Sequence, residues 1–196
     1  MVAVDSYPEY QIVKKELKSD ILIMGESHLS VYKQFDPKRT ILAVYNLSTL
    51  QHLITLGKKF RIHIFLNTGM NREGVQQENL EEFCHLCKNS NIQVEGVMSH
   101  LAYGDNEKME LVTAQYDRFK IMHDIILSHG FSPTRRHINN SGGFLQGKDE
   151  FFTAHRVGIA LYGYNPLSET NSNYEKGQAL QPVMSVWSTI IGVQKV

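Results

Sequence analysis

Cysteine is scarce in this chain: Cys84 and Cys87 are the only two among 196 residues. Two thiols cannot build a disulfide scaffold, and so low a count fits a reducing compartment. Charge of one sign is missing as well, since Lys plus Arg and Asp plus Glu number 20 each. No global field therefore recruits nucleic acid or an anionic membrane. Long apolar runs are absent too, and no window approaches the roughly eighteen residues of a membrane span. The opening Met1-Val2-Ala3-Val4-Asp5 has neither the basic stretch nor the apolar core of a signal peptide. The expectation is a soluble, cytoplasmic globular protein, long enough for one domain with a substantial core.

What is present is alternation. Val2–Val4 and the segments 21–24, 41–45, 62–66, 94–99, 137–139 and 157–162 read as buried strands. Periodic segments lie between most of them. Ser6 with Pro8 and Glu9 opens one helix, and Leu47-Ser48 opens another that stops near Gly57. Residues 77–88 carry Leu80, Phe83, Cys84 and Cys87 at helical spacing. Residues 105–129 put Met109, Val112, Tyr116, Phe119, Met122 and Ile126 on one stripe, with Gly130 where a terminating glycine belongs. Strand and helix in repeated alternation with short connections mean an α/β fold with a parallel sheet. Periodicity leaves two forms open, a doubly wound sheet and most of a (β/α)8 barrel. After Pro166 the character changes: 168–177 is polar and turn-rich, and 180–196 reads as strand material with no following helix.

Two motifs are discarded. Cys84-His85-Leu86-Cys87 is a single pair late in a helix, whereas structural zinc needs four ligands and a redox pair sits at a helix start. It reads as two packed helix-face cysteines. The run from Gly142 to Asp149 nearly spells a phosphate loop, but Asp149 stands where Mg²⁺ requires Ser or Thr. The nine histidines contain no H-x-x-x-H pair, so no helical metal site is expected.

The informative pattern lies at the ends of the predicted strands. One runs into Asn67-Thr68-Gly69-Met70-Asn71-Arg72, the next into His100, the next into Asn140-Ser141-Gly142, and Arg156 precedes the last. Active sites of barrels are built at that rim. Hydroxyl, amide and guanidinium groups beside glycine N–H groups suit a ligand that bears a phosphate.

These residues resemble the alanine racemase family in four ordered motifs. Residues 67–74 are similar to its D-T-G-M-x-R-x-G segment, and 96–102 with Asp105 to its G-[LM]-x-[ST]-H-[FL]-A-x-x-D strand end. Asn140-Ser141 matches its A-N-S loop, and 156–163 with Pro166 matches R-x-G-[IL]-x-[LM]-Y-G-x-x-P. The resemblance implies a pyridoxal 5'-phosphate (β/α)8 barrel over 1–166, a linker over 167–179 and the start of a C-terminal β domain over 180–196. It implies that Ser141, Gly158 and Ile159, with Asn140 beside them, bind the cofactor phosphate, while Arg156 faces the pyridine nitrogen. His100 would orient Arg156, and Arg72 would meet the substrate carboxylate. The family is a homodimer that interconverts L- and D-alanine for peptidoglycan.

Departures from the family pattern accompany the match. The family's K-x-[DN]-A-Y-G-H-G strand, which carries the Schiff-base lysine, has no counterpart here, and neither has the region of its catalytic tyrosine. Lys14, Lys15 and Lys18 fall on a predicted helix away from the rim. Phe65 stands where many members have a lysine, and Asn67 replaces an aspartate. The chain is accordingly expected to be a truncated barrel without racemase activity of its own. The alternatives are a pseudoenzyme that binds the cofactor non-covalently, a decayed fragment, or a racemase-type chain for serine or a basic amino acid.

Overall fold

A computed structural model describes residues 1–107, 109–147 and 149–195. Lys148 of the discarded phosphate loop, Lys108 of the long predicted helix and Val196 lie outside the described residues. The elements alternate as β1 (Val2–Val4), α1 (Tyr7–Glu16), β2 (Ile21–Ile23), α2 (Leu29–Tyr32), β3 (Thr40–Val44), α3 (Leu47–Thr55) and β4 (Arg61–Phe65). A 3-10 turn (Gln77–Asn79) leads into α4 (Leu80–Lys88), then β5 (Gln93–Met98), α5 (Met109–Ser128), β6 (Arg135–His137) and α6 (Ser141–Gln146). A second 3-10 turn (Ile159–Tyr162) and α7 (Tyr174–Gln178) follow.

The six strands are all parallel and stand in sequence order, β1-β2-β3-β4-β5-β6. A doubly wound sheet reverses its order at a switch point. By the general rule that such crossovers share one hand, an unbroken order winds the crossover helices to one side, which is barrel winding. The molecule is an incomplete (β/α)8 barrel of TIM type.

Two apolar layers follow from strand alternation. Ile23, Leu42, Val44, Ile62, Ile64 and Val97 face the helices and pack with Leu50, Leu53, Phe83 and Phe119. Leu22, Ile41, Ala43, Phe65 and Met98 form a smaller cluster on the concave face. Cys84 and Cys87 are buried on α4, and burial pushes their thiols up to about 11 and about 12. They are core side chains, as the spacing suggested. Glu9 accepts from Ser6 N, the side-chain half of a capping box that starts α1. Gly130 (φ 85°) closes α5 in the left-handed conformation that glycine adopts freely. None of the described helices is long and apolar enough to cross a membrane.

The sheet has one strand fewer than the sequence suggests. The predicted strand 157–162 is a loop and a 3-10 turn, with Ile159 59% and Leu161 71% exposed. Its Gly158 and Ala160 N–H groups bond to the Ser141 hydroxyl instead of a ladder, and Gly163 (φ 87°) turns the chain away. The edge of β6 is met earlier: Thr153 N donates to Arg136 O and Arg156 N to Asn139 O, both at 2.9 Å. Residues 180–195 take no ladder partner either, and Val186, Trp187 and Ile191 are exposed.

Candidate functional site

The polar centre of the concave face begins with two histidines in strand interiors. The register places His63 of β4 beside Gly96 of β5, and His137 of β6 beside Met98. Histidine Nδ1 of His63 lies 2.7 Å from Nε2 of His137, so the side chains meet across the intervening strand. Gly96 permits this crossing. A Cβ there would lie 2.5 Å from Cδ2 and 2.6 Å from Nε2 of His63. Burial, aided by the nearby Arg135, Arg156 and Arg61 charges, lowers the His63 pKa to about 3. Burial likewise drives His137 well below its ordinary value. Both rings are neutral at physiological pH.

Arg156 closes the network at the rim. Its Nη1 donates to His137 Nδ1 (2.6 Å) and His137 O (3.4 Å). Its Nη2 donates to Ser99 O (2.5 Å) and His100 Nδ1 (3.2 Å). Four acceptors thus match the four Nη hydrogens, and Nε–H bonds to none of the described residues. Every acceptor is neutral, and among the described residues no carboxylate pairs with the guanidinium. Burial lowers its pKa to about 10, which still leaves it charged near neutrality. His100, at the end of β5, is lowered to about 4, first by burial and then by the charges of Arg156 and Arg72.

Beside this group, the chain after β6 carries Asn140 and Ser141. Asn140 caps α6, its Oδ1 accepting from Gly143 N at 3.1 Å. The Ser141 hydroxyl accepts from Gly158 N (3.0 Å) and Ala160 N (3.2 Å). Two backbone N–H groups converging on one oxygen form a small anion-binding concavity, here filled by the serine itself.

A second hydroxyl chain braces the rim between β4 and β5. Ser99 Oγ donates to Leu66 O at 2.7 Å, so Thr68 Oγ1 must donate to Ser99 Oγ, also at 2.7 Å. Gln115 of α5 completes it, donating to Thr68 Oγ1 and His100 O and accepting from Ala102 N. Asn67 shapes the following loop: its Oδ1 accepts from Gly69 N and Asn71 N, and its Nδ2 donates to Asn71. Arg72 stands outside these networks. It is 56% exposed in its side chain and pairs with Glu73 at 3.4 Å. Phe65 gives it no polar support, being buried against the concave cluster and edge-on to Tyr45.

Residues 1–166 match the family model for the alanine racemase N-terminal domain. The chain belongs to the alanine racemase family. It is 28% identical over 191 residues to alanine racemase 1 of Clostridium acetobutylicum, covering 94% of this chain and 49% of that one. With the alanine racemase of Clostridium tetani it shares 35% identity over 137 residues, 68% of this chain and 34% of the relative. The solved structure of alanine racemase from Clostridium difficile 630 in complex with cycloserine superposes with a TM-score of 0.82. That match has 27% identity and covers 92% of this chain and 50% of the other. The chain thus spans about half the length, or less, of these alanine racemases.

Of the residues singled out in the sequence, His100 and Arg156 meet directly, and Ser141 meets Gly158. Ile159 follows Gly158 with its side chain exposed, and Asn140 serves the α6 terminus. Among the described residues, Arg72 acts on this alanine racemase rim through its charge on His100. Sequence reasoning missed His63, His137, Ser99 and Gln115. The available signal was a histidine at an inward position of two predicted strands, in Arg61-Ile62-His63 and Arg135-Arg136-His137.

Proposed function

We propose that this chain binds pyridoxal 5'-phosphate at the barrel rim and forms the cofactor-binding part of an amino-acid racemase of alanine racemase type. The observation that carries the reading is the charged Arg156 guanidinium, whose Nη groups meet only neutral acceptors among the described residues and whose Nε–H bonds to none of them. A ring nitrogen is a fitting acceptor for that hydrogen. The Ser141 hydroxyl with the Gly158 and Ala160 amides fits a phosphate, which replaces one oxygen by others of greater charge. Asn140 and Ile159 belong to the same wall.

When bound, the cofactor supplies an aldehyde for the substrate amine and a ring that withdraws electrons from the α-carbon. The residues of this chain orient and tune it. Arg156 retains its proton and would donate a hydrogen bond to the ring nitrogen without protonating it, which would moderate electron withdrawal. His100 holds Nη2 of Arg156, and Arg72 is the cation available for the substrate carboxylate once it leaves Glu73. The substrate is a small amino acid, alanine in the first instance, and a homodimer in the cytoplasm accompanies this reading. Residues 167–179 then act as a linker, and 180–196 open a C-terminal β domain.

One observation favours a second reading, cofactor binding without turnover. Among the described residues, no lysine bonds to Arg156, His100 or Ser141; Lys14 sits over Tyr10, Lys58 holds Lys33 O and Lys120 pairs with Asp149. An absorbance titration with pyridoxal phosphate, followed by borohydride reduction and peptide mapping, separates the two. Saturable binding lost in Arg156→Ala supports the shared cofactor site. A lysine adduct selects the catalytic reading, no adduct selects the binding reading, and no binding refutes both.

A further inference from the structure

We infer that His63 is a positioning residue of the rim: it fixes the tautomer of His137 and, through it, the direction of the Arg156 guanidinium. The inference deepens the pyridoxal-phosphate reading and depends on it only for what Arg156 holds.

A guanidinium has only donors, so His137 Nδ1, 2.6 Å from Arg156 Nη1, must present a lone pair. His137 is neutral, and its single ring hydrogen is therefore on Nε2. That nitrogen faces His63 Nδ1 at 2.7 Å, which must accept. The hydrogen of His63 then sits on Nε2, where it is buried and has no partner among the described residues. Reversing the chain would give His63 a donated bond, but it would set His137 Nδ1–H against Arg156 N–H, donor against donor. The arrangement leaves a buried N–H unsatisfied in order to keep His63 as an acceptor.

The backbone is adapted to this contact. β5 separates β4 from β6, and only the missing side chain of Gly96 lets His63 reach His137 over it. Without His63, His137 has no partner to hold its hydrogen on Nε2. It can then shift that hydrogen to Nδ1 and release Arg156 from its shortest side-chain bond.

The test uses the full chain with ¹⁵N-labelled histidine. At neutral pH, His137 of the wild type is expected to show a bare Nδ1 and a protonated Nε2. His63→Phe removes that preference and weakens pyridoxal phosphate about tenfold, the range of a hydrogen bond to a charged group, while inorganic phosphate binds as before. His63→Asn places Oδ1 where Nδ1 stood and restores both. A protonated Nδ1 on wild-type His137 overturns the inference. So does equal weakening of phosphate and cofactor, which marks a merely structural role, or undiminished cofactor affinity in His63→Phe. Should His63→Phe fail to fold, the wild-type tautomer and the His63→Asn variant decide. If the wild type binds no pyridoxal phosphate, the cofactor reading fails while the tautomer still decides His63.

Discussion

Mild acid is expected to destabilise this protein well before its carboxylates titrate. His63 is lowered to about 3 and His100 to about 4, with burial the largest cause in each, and His137 is driven well down. In the unfolded chain each histidine takes up its proton near pH 6.5. Below that pH the unfolded state binds protons that the folded state refuses, so stability falls as pH falls, through the window between about 6.5 and the folded values. The slope is about 1.4 kcal/mol per pH unit for each such histidine. From pH 6.5 to pH 5 that amounts to about 2 kcal/mol each, and about 6 kcal/mol as an upper bound for the three. A domain of this kind has roughly 5–15 kcal/mol in all. His123, buried and also lowered, adds to the same window. Asp20 and Asp149 are lowered from already acidic values and act only below about pH 5. Urea unfolding at pH 7.5, 6.5, 5.5 and 5.0 should show a midpoint that is flat above pH 6.5 and falls steeply below. His63→Phe should make the fall shallower. A midpoint unchanged from pH 7.5 to pH 5.0 refutes the claim that these rings are held neutral.

Other perturbations probe the same construction. Gly96→Ala drives a methyl into His63 and should cost about 1–3 kcal/mol by thermal unfolding, with loss of the His137 tautomer preference. Ser141→Ala strands the Gly158 and Ala160 N–H groups; a loss of about 1–2 kcal/mol is expected, and added phosphate should recover part of it. Asn67→Asp keeps the oxygen that receives Gly69 N and Asn71 N and should stay within about 1 kcal/mol of wild type, whereas Asn67→Leu should unprotect both amides in hydrogen exchange.

The alternation of parallel strands and helices was legible because the buried strands are short apolar runs and the longer helices carry a stripe or a stop, as with α5 and Gly130, whereas the choice of a barrel came from the family resemblance. The segment 157–162 misled because Val157, Ile159 and Leu161 alternate like a strand. What decides its conformation is a hydroxyl 17 residues upstream of Gly158, which periodicity cannot see. At the site, His100 and Ser141 were legible as polar residues at the ends of predicted strands, and Arg156 as the residue before the last one. His63 and His137 were not, because their meaning depends on the register that sets them on either side of Gly96. Arg72 was expected at the site, and the structure turns it to Glu73, with Phe65 offering no polar brace.

The most direct test of the cofactor reading is a crystal structure of the full chain soaked with pyridoxal phosphate. The account predicts the phosphate against Ser141 Oγ and the Gly158 and Ala160 amides, with the ring nitrogen in hydrogen-bond reach of Arg156 Nε. A cofactor bound elsewhere, or a reversed one with its phosphate on Arg156, would contradict it.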